Sequence, residues 1–161
     1  MKKTNNCLIR FSSFLLISLL ILSACDFFAV GSYPFAEYYT FHKDSKERLI
    51  KRIRVFKENH PEYKLIKTNS DGHEEEVLGQ ETSSGYSIYF YFQDIDLTLH
   101  CIIKGGPGNS TRLGLDACST GRDFGGNWQR INKDLKKNKN AALKKKFEEE
   151  ILNGFGGWSR K

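Results

Sequence analysis

Cysteine and histidine are scarce in this chain, with four of each in 161 residues. No pair of either stands at metal-ligand spacing, which argues against a metal centre. The sequence has no G-x-S-x-G elbow of the kind that presents a nucleophilic serine. The run Gly105 to Thr111 is glycine-rich but lacks the Gly-Lys-Ser/Thr ending of a phosphate loop. It also joins two strand-like segments, so no helix N-terminus would face an anion. No internal repeat is present, and no motif calls for a cofactor. Nor is there an apolar run long enough to span a bilayer. About 14 residues separate Arg10 from Cys25, roughly 21 Å of helix against roughly 30 Å of hydrocarbon.

What the N-terminus does have is a three-zone layout. Lys2, Lys3 and Arg10 form a basic head. Phe11 to Ile21 is apolar except for Ser12, Ser13 and Ser18. Small residues Ser23 and Ala24 then precede Cys25. This is the layout of an export signal. Leu22-Ser23-Ala24-Cys25 resembles the lipobox of bacterial lipoproteins, a resemblance confined to the signal region. It implies a diacylglyceryl group on the Cys25 sulfur, cleavage between Ala24 and Cys25, and acylation of the new amine. Two or three acyl chains anchor stably, since each buried methylene contributes about 0.8 kcal/mol. Asp26 resembles the signal that retains lipoproteins in the inner membrane of enteric bacteria. The expected location is therefore the exported side of a membrane, lipid-tethered.

Removal of residues 1–24 leaves 137 residues, enough for one domain. Lys plus Arg falls from 25 to 22 while Asp plus Glu stays at 19, so the net charge drops from +6 to about +3. Such a mixed surface gives no case for nucleic acid. Cys7 leaves with the signal and Cys25 is consumed by lipid, which leaves Cys101 and Cys118. An even pair in an oxidising envelope reads as a disulfide, stabilising by about 3 kcal/mol in the chain-entropy model. Two free thiols and half a metal site are the rival readings. Strand parity opposes the bridge: Cys101 shares a face with Leu97 and Leu99, whereas Cys118 has the parity opposite to Leu113 and Leu115. A bulge, or an early end to the strand, would lift that objection.

Residues 25–42 carry seven aromatics between Phe27 and Phe41, too many for a disordered tether. This membrane-proximal segment either packs on the domain or rests in the bilayer interface. One α+β domain is expected over 43–161. It begins with a helix from Asp44 to Asn59, with Asp44 as cap, Glu47 reaching back, and Leu49, Ile50, Ile53 and Phe56 on one face. Its basic remainder reads as a solvated face. Period-two patterning then predicts strands at 63–68, 74–80, 86–92, 96–104 and 112–117, a five-stranded antiparallel meander. An amphipathic helix is expected from Trp128 to Asn153, stopped at Gly154.

Candidate chemistry centres on His100, which faces away from the apolar side of its strand. Asp96 lies four residues earlier and Asp116 on the neighbouring strand. An Asp-His pair beside a serine could support acyl transfer, but the pattern designates no serine. Tyr89 and Tyr91 lie opposite the expected core and form a candidate contact surface. The sequence fits a non-enzymatic envelope binding protein, with the membrane as one partner and an envelope protein as another. An immunity-type inhibitor of a periplasmic toxin and a small hydrolase using His100 are the alternatives. For the anchor, Cys25→Ser should leave an uncleaved precursor without palmitate label; continued labelling would contradict the lipobox reading.

Overall fold

The computed structural model describes residues 33–122 and 126–160. The signal, the Ala24–Cys25 junction, Asp26 and the first aromatics of the 25–42 segment lie outside the described residues.

The rest of that segment is part of the domain. Strand β1, Glu37–His42, buries Tyr39 and Phe41 completely. Alternation puts these two rings on one face and Tyr38 and Thr40 on the other. The domain therefore starts before residue 43, and residues 37–42 complete its core rather than entering a membrane interface.

Helix α1 spans Lys46–Asn59. Its N-cap is Ser45, one residue later than expected, with Ser45 Oγ accepting from the Arg48 amide at 3.3 Å. Asp44 is drawn away from the cap. Its carboxylate takes the Arg52 guanidinium, and its carbonyl accepts the Thr111 hydroxyl at 2.6 Å. Leu49, Ile50, Ile53 and Phe56 are buried, as their spacing requires, each worth about 1.5–3 kcal/mol. Lys57 departs from the solvated face. It is 3 % exposed, with its ammonium 3.4 Å from Glu76 and 5.3 Å from the Phe90 ring centroid. Burial pushes its pKa down, and Glu76 opposes that shift. The Lys57–Glu76 pair ties the small hairpin to the helix, and Glu76 also pairs with Lys64.

That hairpin joins β2, Ile66–Thr68, to β3, Glu74–Glu76. Asn69 Oδ1 accepts from the amides of Asp71 and His73, and Gly72 takes a positive φ of 82°. The main sheet contains β4 (Gln80–Thr82), β5 (Gly85–Phe92), β6 (Leu97–Gly105), β7 (Ser110–Thr120), β8 (Gln129–Arg130) and β9 (Trp158–Arg160) besides β1. Its order is β4-β5-β6-β7-β1-β9, with β8 also paired to β7. All pairs are antiparallel.

The class is α+β, as expected, but the five-stranded meander is replaced. Only β4 to β7 run as a meander. Among the described residues the sheet has seven strands, because β1 and β9 extend it beyond β7 and β8 is added at its edge. The expected strands at 63–68 and 74–80 form a separate pair and are shorter.

The C-terminal helix also begins later than the pattern suggested. Trp128 precedes β8, and Ile131 to Leu135 is a turn. Helix α2 spans Lys137–Phe147, continues as a π-helical turn over Glu148–Leu152 and ends with Asn153–Phe155. Asn138, Lys139 and Asn140, which interrupt the apolar stripe, lie in its first turn. No helix among the described residues is long and apolar enough to cross a membrane.

Both helices cover one face of the sheet. Tyr39, Phe41, Ile88, Phe90, Phe92, Leu99, Cys101, Ile103, Leu113 and Leu115 pack there with Leu143, Phe147, Ile151 and Phe155. After α2 the chain returns to the sheet as β9. Arg160 then reaches Glu37 at 3.1 Å and Glu148 at 2.6 Å, and Tyr39 donates its hydroxyl to Glu148 at 2.9 Å.

Cys118 belongs to the same core, against its parity. The reason is a bulge. Cys101 lies opposite Leu115, but His100 lies opposite Ala117 and Leu99 opposite Cys118. Asp116 is the extra residue, and it turns Cys118 inward. The bulge removes the parity objection, yet the expected disulfide is not formed: Cys101 and Cys118 are free and buried. They are diagonal neighbours, and such pairs stand about 7–8 Å apart, beyond the usual reach of a bridge. Burial pushes the Cys101 thiol well up and the Cys118 thiol to about 11. The processed native protein should resist a disulfide-exchange reagent near neutral pH. Denaturation without reductant should release both thiols. Release only after reduction would contradict this packing.

Candidate binding cleft

The face of the sheet away from the helices carries the polar and aromatic residues. On β5, Ser87, Tyr89 and Tyr91 alternate with the core residues, and β6 presents Thr98, His100 and Ile102 opposite them. Tyr89 and His100 are directly paired, with ring centroids 5.2 Å apart.

His100 is held at both nitrogens. Nδ1 lies 3.2 Å from Asp116 Oδ2, and Nε2 lies 3.2 Å from Ser87 Oγ. A neutral ring with its proton on Nδ1 would donate to Asp116 and accept the serine hydroxyl at Nε2. Strand alternation already turns Asp116 to the face of His100, and the bulge keeps it there while bringing Ala117 onto the same face as the residue opposite His100.

The other edge of β7 changes partner at the same residue. Strand β1 pairs with β7 up to Leu115, and β8 pairs with it from Ala117. Between them the Asp116 carbonyl accepts the Ile131 amide at 2.8 Å. The β8 segment thus brings Trp128 over the sheet. Its ring lies 6.3 Å from Tyr89 and 6.1 Å from His100. Tyr33 reaches His100 from another side at 6.1 Å.

These groups enclose a cleft of about 490 Å³, lined by Tyr89, His100, Asp116, Trp128, Arg130 and Asp134, with Ala117 between. Arg130 and Asp134 close one rim as an ion pair at 3.0 Å, and Asp134 also accepts the Arg130 amide. Those hydrogen bonds hold the Asp134 carboxyl below the usual carboxylate range. Burial raises the Tyr89 phenol above its ordinary value. At neutral pH the cleft therefore offers a neutral phenol, an indole, an imidazole and paired charges.

Chemically, Ser87–His100–Asp116 has the connectivity of a base-activated serine. Two observations weigh against its use. Ser87 is 4 % exposed and is not among the residues that line the cleft. It also sits mid-strand, flanked by Gln80 of β4 and Ile102 of β6, so backbone amides there serve the sheet. An oxyanion hole needs amides turned toward the reacting carbonyl. The chain of hydrogen bonds instead satisfies a buried hydroxyl, which would otherwise cost about 1–3 kcal/mol, and fixes the imidazole.

The sequence candidates are thus separated. His100 and Asp116 come together. Asp96 does not join them: it is the left-handed residue of the β5–β6 turn, with a φ of 47°, and its carboxylate accepts the Tyr91 hydroxyl at 2.7 Å. Tyr91 is 5 % exposed under the Arg122 guanidinium, which removes it from the contact surface. Tyr89 stays in the cleft. Gly105 to Asn109 is a hairpin loop, closed by the Gly106 amide on the Ser110 carbonyl. Among the described residues no group of three His, Cys, Asp or Glu is placed to hold a metal. Sequence reasoning missed Ser87, Trp128, Arg130 and Asp134. Ser87 was within reach through its shared face with Tyr89, but its partner depends on the register with β6.

No family model, curated protein or solved structure matches the chain, so the cleft is interpreted from its own geometry.

Proposed function

We propose that this chain is a lipid-anchored envelope protein whose domain binds a partner, without catalysis, through the cleft over Tyr89, His100 and Trp128. The observation that carries the reading is the immobilised floor. Both imidazole nitrogens are committed to intramolecular partners, while aromatic rings stand around the opening. A rigid aromatic patch with few loose polar groups suits recognition, because little side-chain entropy is lost on contact. The anchor at Cys25 places the domain beside the bilayer, which favours an envelope protein as partner. A toxin arriving in the periplasm would be one such protein.

The hydrolase reading keeps one observation in its favour, the Ser87–His100–Asp116 connectivity. The absence of Ser87 from the cleft lining and the paired amides around it favour binding instead.

A photocrosslinking residue at Tyr89, introduced in the host, should capture a discrete partner, whereas the same residue at exposed Ile95 should not. Trp128→Ala should weaken the purified pair by about 30-fold, the effect of losing roughly 2 kcal/mol at an aromatic hot spot. Equal capture from both positions would contradict the reading. So would an esterase or amidase activity abolished by Ser87→Ala.

A further inference from the structure

A second concavity lies on the opposite side of the sheet, between α1 and the end of the C-terminal helix. It has a volume of about 390 Å³. Val55, Phe56 and Phe155 give it an apolar floor, and Arg48, Lys51 and Arg52 a basic rim. Gly154 lets the two helices approach, because a Cβ there would collide with the Phe56 ring. Val55 is 46 % exposed in the groove.

The charge of α1 is distributed unevenly. Lys46 is paired with Glu81, Arg54 with the Tyr86 hydroxyl, and Lys57 with Glu76. Arg52 is shared between Asp44 and the Gly156 carbonyl. Arg48 is 67 % exposed and stands 3.9 Å from Asp44, and Lys51 has no ion-pair partner among the described residues. No carboxylate lines the groove. His60, at its end, faces Glu62 at 3.2 Å, and Asp44 lies behind Arg48 and Arg52.

We propose that this groove seats the headgroup of an anionic phospholipid from the membrane that holds Cys25, with Arg48 and Lys51 on the phosphate and Val55 against the upper acyl region. The inference rests on the reading of Cys25 as the anchor. Charge complementarity supports it: a cation near an anionic bilayer contributes about 1 kcal/mol, or about fivefold in partitioning. A tether of eight residues, at most about 28 Å from Cys25 to Tyr33, keeps the domain close to the bilayer. An exposed apolar residue framed by cations is the pattern of an interfacial surface.

The test uses the processed, lipidated protein carrying Val55→Cys labelled with a fluorophore. It is mixed with vesicles of phosphatidylcholine, or of phosphatidylcholine with about 30 % phosphatidylglycerol, each containing a spin-labelled quencher lipid. Quenching should rise several-fold with the anionic lipid, and Arg48→Glu with Lys51→Glu should remove the rise while leaving the circular dichroism unchanged. Equal quenching in the two vesicles would overturn the proposal and leave the groove to an acidic protein partner. Flotation of the same samples judges the anchor separately. A lipidated chain floats with both vesicles; flotation with anionic vesicles alone would sink the anchor and retain the groove.

Discussion

One extra residue in strand β7 sets the arrangement of both faces of this domain. Asp116 has no counterpart on β6, so the ladder shifts between His100 and Cys101. On the core side the shift brings Cys118 beneath the helices, where its strand parity would have placed it outside. On the open side it leaves Asp116 beside His100 and brings Ala117 onto the same face. On the lateral edge, β7 passes from β1 to β8 at the same point, and β8 delivers Trp128. A bulge costs ladder regularity. It persists where surrounding contacts fix it, and here the Ile131 amide, the His100 imidazole and the buried Cys118 do so.

The consequence is a domain with two unlike surfaces. Helices seal one face of the sheet, and the α1 side of that layer presents a groove with cations at its rim. The other face presents rings around a fixed imidazole. His100 could have been a free base in an open cleft. Two hydrogen bonds, each worth about 1 kcal/mol net, hold it between Asp116 and Ser87. The same two contacts would serve proton transfer equally well; what weighs against Ser87 as a nucleophile is its burial, 4 % exposed and outside the cleft lining.

The sequence made the local elements legible where one period dominated. Helix α1, strand β5 and strand β6 follow from unbroken apolar spacing over many residues. The Asp71-Gly72 turn follows from backbone chemistry. Trp128, Ile131 and Leu135 misled because their spacing suits a helix, yet Ile131 is buried from a turn that leads out of β8. Spacing reported the burial correctly and the backbone wrongly. Strand β1 was hidden by its aromatics, which suit an interface as well as a core, and pairing with β7 decided between them. The bulge left only an indirect trace, the parity conflict of Cys118. No local signal locates an extra residue in a ladder whose partner strand is not yet known, so neither Ser87 nor Trp128 could be assigned to His100.

The register of β6 against β7 tests the account most directly. Interstrand nuclear Overhauser contacts in the isotope-labelled protein should pair Cys101 with Leu115, His100 with Ala117 and Leu99 with Cys118. Contacts pairing His100 with Asp116, Leu99 with Ala117 and Thr98 with Cys118 would show an unbroken ladder. That result would turn Cys118 out of the core, take Ala117 out of the cleft and contradict the account.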